Sequence, residues 1–187
     1  MADVFDVLAR DHREIRAMLD ELADGADGAD ESRLVLRTRM TEQLIIADSR
    51  HESAEEMYFW PAVRKHLIDG DVLADRGVAQ EQEAKRVLAR LDQMEAGHAG
   101  FDILLRAFTA AARAHIDFEE RQVWPSLRSA VTELEAEELG GLLSIAENAA
   151  PTRPHPNTPG TPGVQKVVGP AAGLVDKARD AITGRDE

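Results

Sequence analysis

The chain has 187 residues, 22 Lys and Arg against 35 Asp and Glu, a formal charge of −13 and no cysteine. That length fits one ordinary domain plus an appendage, and the acidity, with no basic stripe to reverse it locally, argues against nucleic acid and membrane surfaces as partners. Lack of cysteine excludes disulfides, thiolate metal sites, iron–sulfur clusters and a thiol nucleophile, so redox chemistry has to use a metal or cofactor held by nitrogen and oxygen donors.

The opening MADVFDVLARDHREI has neither the basic segment nor the continuous apolar run of a signal peptide, and no window is apolar enough to span a bilayer. A cytoplasmic protein is expected. From Val4 the apolar residues Phe5, Leu8, Ile15, Leu19 and Leu22 follow the three-and-four spacing of a core-facing helix, and His12 fills the missing step. After ADGADGADES, where Ser32 is a candidate cap, a second helix is predicted from about Arg33 to Leu67, ended by Asp69-Gly70. A third reads from Val72 to Glu95, and a fourth from Phe101 to Ala130 after the break marked by Gly97 and Gly100. Thr132 and Glu135 have capping-box spacing for a short fifth helix, Glu133 to Asn148. The proline-rich NAAPTRPHPNTPGTPGVQ reads as an extended linker, with a small amphipathic helix predicted over Ala171 to Ile182. Four long helices with short connections predict an all-α, antiparallel up-down-up-down four-helix bundle over residues 1–148, with 149–187 as linker and tail.

Two segments share the pattern HxxxEExxxWP, His51 to Pro61 and His115 to Pro125, and contain both tryptophans of the chain. Each lies in an even-numbered helix, so the bundle reads as a duplicated helix pair. The odd helices agree: His12 with Ile15, Met18, Leu19 and Leu22 parallels Glu81 with Ala84, Val87, Leu88 and Leu91. Glu81 thus lies on an apolar stripe, where an uncompensated carboxylate is costly and a positive partner is required. Residues four apart share a helix face, so each His-x-x-x-Glu presents an imidazole beside a carboxylate. A single such pair is ordinarily a surface ion pair of little worth. Two copies on symmetric core stripes, with His12 and Glu81 on the other two, instead make a dimetal cage. His51 and His115 supply terminal nitrogens, Glu55 and Glu119 are placed to bridge, and His12 and Glu81 cap the ends.

Around this set, Glu52 is a second-tier ligand candidate or, unbound, a proton carrier, although adjacent helical residues point about a hundred degrees apart. Tyr58, one turn beyond Glu55, is a candidate donor to a bound oxygen species, or a buried tyrosine partnered elsewhere. Trp60-Pro61 and Trp124-Pro125 are assigned to packing and kinking below the metals. His66, His98 and His155 lie off the ligand stripes. Leu88, Leu104, Leu105, Phe108 and Met18 read as core, some of them lining a small-ligand pocket.

The segments DHREI, RHESAEEMYFWP and AHIDFEERQVWP resemble the hallmark segments of the hemerythrin-like HHE cation-binding family, over about residues 1 to 130. The resemblance implies an antiparallel four-helix bundle and two iron ions joined by carboxylate and oxo or hydroxo bridges. The family's ligand roles map onto His12, His51, Glu55, Glu81, His115 and Glu119. The family usually has a histidine where this chain has Glu81, with Gln82 the other candidate if the register differs by one. An added anionic donor favours ferric iron and disfavours reversible oxygen carriage. The expected function is therefore a non-haem di-iron protein reacting with small oxidants, hydrogen peroxide breakdown first and O2 or NO as neighbours, with Tyr58 or Glu52 moving protons. The alternative is a non-catalytic module that binds, stores or senses O2 or iron. A monomer or weak homodimer is expected.

Overall fold

The computed structural model describes residues 2–23, 30–155, 172–177 and 179. Helix α1, Val4–Leu22, starts at a reciprocal cap in which the Asp3 carboxylate accepts from the Asp6 amide and the Asp6 carboxylate from the Asp3 amide. Helix α2, Glu31–Ala54, is capped by Asp30 and not by Ser32. Asp30 Oδ1 accepts the Arg33 amide at 2.9 Å and the Ser32 hydroxyl at 2.7 Å, because only a residue three before that amide can reach it from outside the first turn.

Helix α2 runs without a break through a π-helical turn, Glu55–Phe59, into α3, Trp60–His66. Its duplicate does the same: α5, Phe101–Phe118, a π-helical turn at Glu119–Val123, then α6, Trp124–Ala130. Between them lies α4, Gly70–Leu91. The π-turns answer the prolines. A proline ring collides with the carbonyl four residues back and offers no amide, and widening the preceding turn by one residue makes room without breaking the rod. The amides of Trp60 and Trp124 accordingly bond the carbonyls of Glu55 and Glu119, five residues back.

Two helix ends differ from expectation. Asp69-Gly70 does not only stop the second rod, since Gly70 already begins α4. The third rod ends at Leu91 instead of Glu95 because the amides of Gln93 and Met94 bond carbonyls three residues back, tightening the chain into turns.

Helices α1, α2–α3, α4 and α5–α6 form the bundle, all-helical among the described residues. Its apolar interior is split in two. One cluster joins Val4, Phe5, Leu8, Phe59, Trp60, Phe118 and Leu127; the other joins Ile15, Leu19, Leu44, Leu88, Phe101 and Phe108. Between these layers the rods contribute His12, His51, Glu55, Glu81, His115 and Glu119, each no more than 6% exposed.

A fifth helix, α7, Glu133–Ala149, opens with the predicted Thr132–Glu135 capping box and packs across α1 and α2. Its approach requires Gly140, where a Cβ would lie 2.5 Å from the Ala2 carbonyl oxygen. Beyond α7, Ala150 and Thr152 are fully buried, Arg153 pairs with Asp92 at 3.1 Å, and its amide donates to Asp176. Residues 172–177 are helical, and Lys177 Nζ donates to the Asn148 carbonyl at 3.0 Å. Residues 156–171, 178 and 180–187 of the predicted linker and tail lie outside the described residues. Among the described residues no helix is long and apolar enough to cross a membrane.

Candidate metal centre

The π-turns begin at Glu55 and Glu119, so each places a carboxylate where the rod changes pitch, one helical turn after a histidine. Glu55 Oε2 lies 3.3 Å from His51 Nε2 on its own rod and 3.7 Å from His115 Nε2 on the other. Glu119 mirrors it, with Oε1 3.4 Å from His115 Nε2 and Oε2 3.1 Å from His12 Nε2. Glu81 Oε1 lies 3.9 Å from His115 Nε2.

These contacts sort into two groups whose ligand atoms all lie within 4.8 Å of one another: His12, His51, Glu55 and Glu119, and Glu55, Glu81, His115 and Glu119. Glu55 and Glu119 belong to both, which is the placement of bridging carboxylates. All six residues expected as ligands are therefore brought together. Gln82 is not; its amide donates to Glu56 at 3.1 Å.

Burial sharpens the point. The atoms His12 Nε2, His51 Nε2, His115 Nε2, Glu81 Oε2 and both carboxylate oxygens of Glu55 and Glu119 are buried without a hydrogen-bond partner. Native interiors rarely leave such atoms unsatisfied, and a cluster of imidazole nitrogens and carboxylate oxygens is the donor set for iron, manganese or zinc. The residues fit a pair of such cations.

A family model for the hemerythrin HHE cation-binding domain matches residues 3–127. The chain belongs to the hemerythrin HHE cation-binding family. A hemerythrin-like protein of Schizosaccharomyces pombe is 26% identical to it over 183 residues, 97% of this chain and 87% of the relative. The crystal structure of a hemerythrin HHE cation-binding domain-containing protein from Mycobacterium kansasii shares the fold with a TM-score of 0.65 at 21% identity, covering 79% of this chain and 86% of that one. Helix α7 lies beyond the stretch matched by the HHE model.

Outside the cage, each of the three ligand-group histidines of this HHE domain turns its Nδ1 to a different partner. His12 Nδ1 lies 2.9 Å from Glu120 Oε1, and Glu120 also accepts from Arg16 at 2.8 Å. His115 Nδ1 faces the Gln80 amide oxygen at 3.1 Å. His51 Nδ1 faces Asp11 Oδ2 at 3.6 Å, an ion-pair distance and not a hydrogen bond. With the Nδ1 proton directed at Glu120 and Gln80, the Nε2 lone pairs of His12 and His115 point into the cage, as metal ligation requires.

The electrostatics follow from burial. It depresses His12 to about 4 against the pull of Glu120. Burial acts the same way on His51, but the carboxylates of Glu55 and Asp11 outweigh it and raise the ring to about 10. Glu81 and Glu119 are pushed well above the ordinary carboxylate range by burial, reinforced by neighbouring carboxylates. Glu55 moves down, because His51 and His115 overcome its burial. The hydrogen bond from His12 holds Glu120 at about 2, assisted by Arg16.

Of the two residues considered for proton movement, Glu52 stands outside both ligand groups, with Oε2 3.8 Å from Lys85 Nζ, and burial raises its pKa well above normal. Tyr58 is partly buried and packs against the cluster containing Phe5 and Trp60.

Sequence reasoning missed several supporting residues: Asp11 and Gln80, each beside an odd-helix ligand, Glu56 and Glu120, the second glutamates of the repeat, and buried Lys85, which pairs with Glu56 at 2.8 Å. Trp60, also in the repeat, was assigned to packing alone; its indole N–H donates to Glu81.

A cavity of about 350 Å³ between α1, α2 and α7 reaches His51 and is lined by Arg10, Asp11, Met18, Arg50 and Glu147 among others. Of the residues expected to line a pocket only Met18 does so here, while Leu88, Leu104, Leu105 and Phe108 pack in the apolar cluster above the cage.

Proposed function

We propose that this HHE domain holds two iron ions and breaks down small oxidants, hydrogen peroxide foremost, with O2 and NO as neighbouring substrates. The observation that carries the reading is the convergence of eight buried, unpartnered donor atoms from four rods, three imidazole nitrogens and five carboxylate oxygens. Two cations sharing Glu55 and Glu119 compensate that set, whereas burying it without them is strongly unfavourable. Two irons so held supply two-electron redox chemistry.

The chain's own residues would then divide the work. His12, His51 and His115 fix the terminal positions, oriented from behind by Glu120, Asp11 and Gln80. Glu55 and Glu119 set the separation of the pair. Glu81 adds negative charge and favours the oxidised form. Glu52, buried, held above the ordinary carboxylate range and adjacent to His51, is the better placed group to pass on a proton, with Tyr58 second. The apolar layers above and below exclude water, and the cavity beside His51 admits a small molecule.

Metal analysis and the visible spectrum of the purified protein, followed by peroxide addition with an oxygen electrode, test the reading. Two irons per chain and catalytic oxygen release are expected. Two irons without turnover would assign the domain to binding, storage or sensing of O2 or iron, and iron-free protein with no affinity for iron would refute the di-iron centre.

A further inference from the structure

The duplication makes the two halves of the cage comparable position by position, and their differences gather around the odd-helix ligands. Register pairs His12 with Glu81, Leu8 with Gly77 and Trp124 with Trp60. Each tryptophan faces the odd helix of the opposite half. Trp124 stacks on His12, ring centroids 5.1 Å apart and planes at 14°, and its buried indole nitrogen has no hydrogen-bond partner. Leu8, one turn earlier on α1, is fully buried in the same cluster.

In the other half the place of Leu8 is taken by Gly77. A Cβ there would lie 2.2 Å from the six-membered ring of Trp60, so the indole lies directly against the backbone of α4. From that notch its Nε1–H donates to Glu81 Oε1, leaving Oε2 as the buried, unpartnered oxygen. The second half has thus exchanged three things together: a histidine for a glutamate, a leucine for a glycine, and a stacking tryptophan for a donating one.

The groups behind the ligands are unequal in the same sense. The position built from His12 and His51 has two imidazoles, each facing a carboxylate, Glu120 or Asp11. The position built from His115 and Glu81 has one imidazole, backed by the neutral amide of Gln80. Carboxylate behind an imidazole raises its basicity and its hold on a metal, and borderline divalent ions favour the site richer in nitrogen.

We propose that Trp60, seated in the Gly77 notch, is a positioning residue that fixes Glu81 as a one-oxygen ligand and makes the Glu81–His115 position the carboxylate-rich, later-filling one of the pair. The proposal rests on the dimetal reading of the cage. Without the indole donor Glu81 has no fixed rotamer and no partner for Oε1, so the second position loses affinity while the first keeps all its ligands and supports.

The test is a Co2+ titration of chelator-stripped full-length protein, following visible bands and bound metal by equilibrium dialysis, with circular dichroism as a check on folding. The wild type should take two Co2+ in separate steps. Trp60→Phe should leave the first step and its spectrum unchanged and weaken the second about 10- to 100-fold. Gly77→Ala, which displaces the indole without deleting it, should act in the same direction. Trp124→Phe should leave the second step unaltered. The proposal is overturned if folded Trp60→Phe or folded Gly77→Ala retains wild-type affinity at the second step, or if Trp60→Phe and Trp124→Phe weaken both steps alike. A wild type that binds fewer than two Co2+ would instead refute the dimetal reading beneath it.

Discussion

Lys85→Met isolates the charge balance next to the cage. Lys85 is 6% exposed, and its Nζ lies 2.8 Å from Glu56 Oε1 and 3.8 Å from Glu52 Oε2, with Gln82 also donating to Glu56. Both carboxylates are at most 2% exposed. Burial alone would push the ammonium down, yet Glu52, Glu56 and Glu81 outweigh it and raise its pKa above normal. Methionine matches the aliphatic stem, so the loss is electrostatic. Removing one partner of a buried ion pair costs about 3–5 kcal/mol, against at most ~1 kcal/mol for a surface pair. For a chain of this size each kcal/mol moves the melting temperature by about 2–4 °C, so a fall of roughly 6–20 °C is expected. Thermal unfolding of chelator-stripped protein followed by circular dichroism measures the fold apart from the metal. Lys85→Met/Glu56→Gln should recover more than half of the loss, since the carboxylate that needed compensation is gone. A drop within the surface-pair range, or a double variant no better than the single, would show that Lys85 does not balance these carboxylates.

His115→Ala, Glu119→Ala, His51→Ala and Glu55→Ala should each lower bound iron to one per chain or fewer by metal analysis, with His98→Ala unchanged. Glu81→His removes an anionic donor and should raise the reduction potential in a spectroelectrochemical titration; an unchanged potential would mean that Glu81 does not ligate. Glu147, beside Arg10 at the cavity, is raised from 4.5 to about 7 by burial and by Asp11. The fold therefore holds this proton more tightly than the unfolded chain, and its contribution to stability is lost as pH rises from 4.5 through 7. Glu147→Gln should accordingly melt higher than wild type at pH 8 and close to it at pH 5. Truncation after Asn148 removes the buried Ala150 and Thr152 and the Arg153–Asp92 pair, and should lower the melting temperature by several degrees while leaving metal content intact.

What could be read from the sequence was what local periodicity encodes. Three-and-four spacing marked which face of each rod is buried, the capping box at Thr132 marked the start of α7, and residues four apart necessarily share a face, so His51 with Glu55 and His115 with Glu119 were legible before any packing was known. Glu81 was legible from its register against His12. Even so, the cap of α2 was placed at Ser32, two residues too late, because only the folded backbone shows that the Asp30 carboxylate reaches the Arg33 amide. Tertiary structure decided everything that depends on how the rods rotate and approach. Glu120 supports a histidine 108 positions away, Gln80 one 35 away, and Lys85 meets Glu56 across 29 residues. No periodicity links such pairs, because a helix fixes the angles between its own side chains and leaves free its rotation against its neighbours. The two tryptophans show the limit most directly: at the same position of the repeat, one stacks and the other donates, because the helix opposite carries Leu8 and His12 in one half and Gly77 and Glu81 in the other.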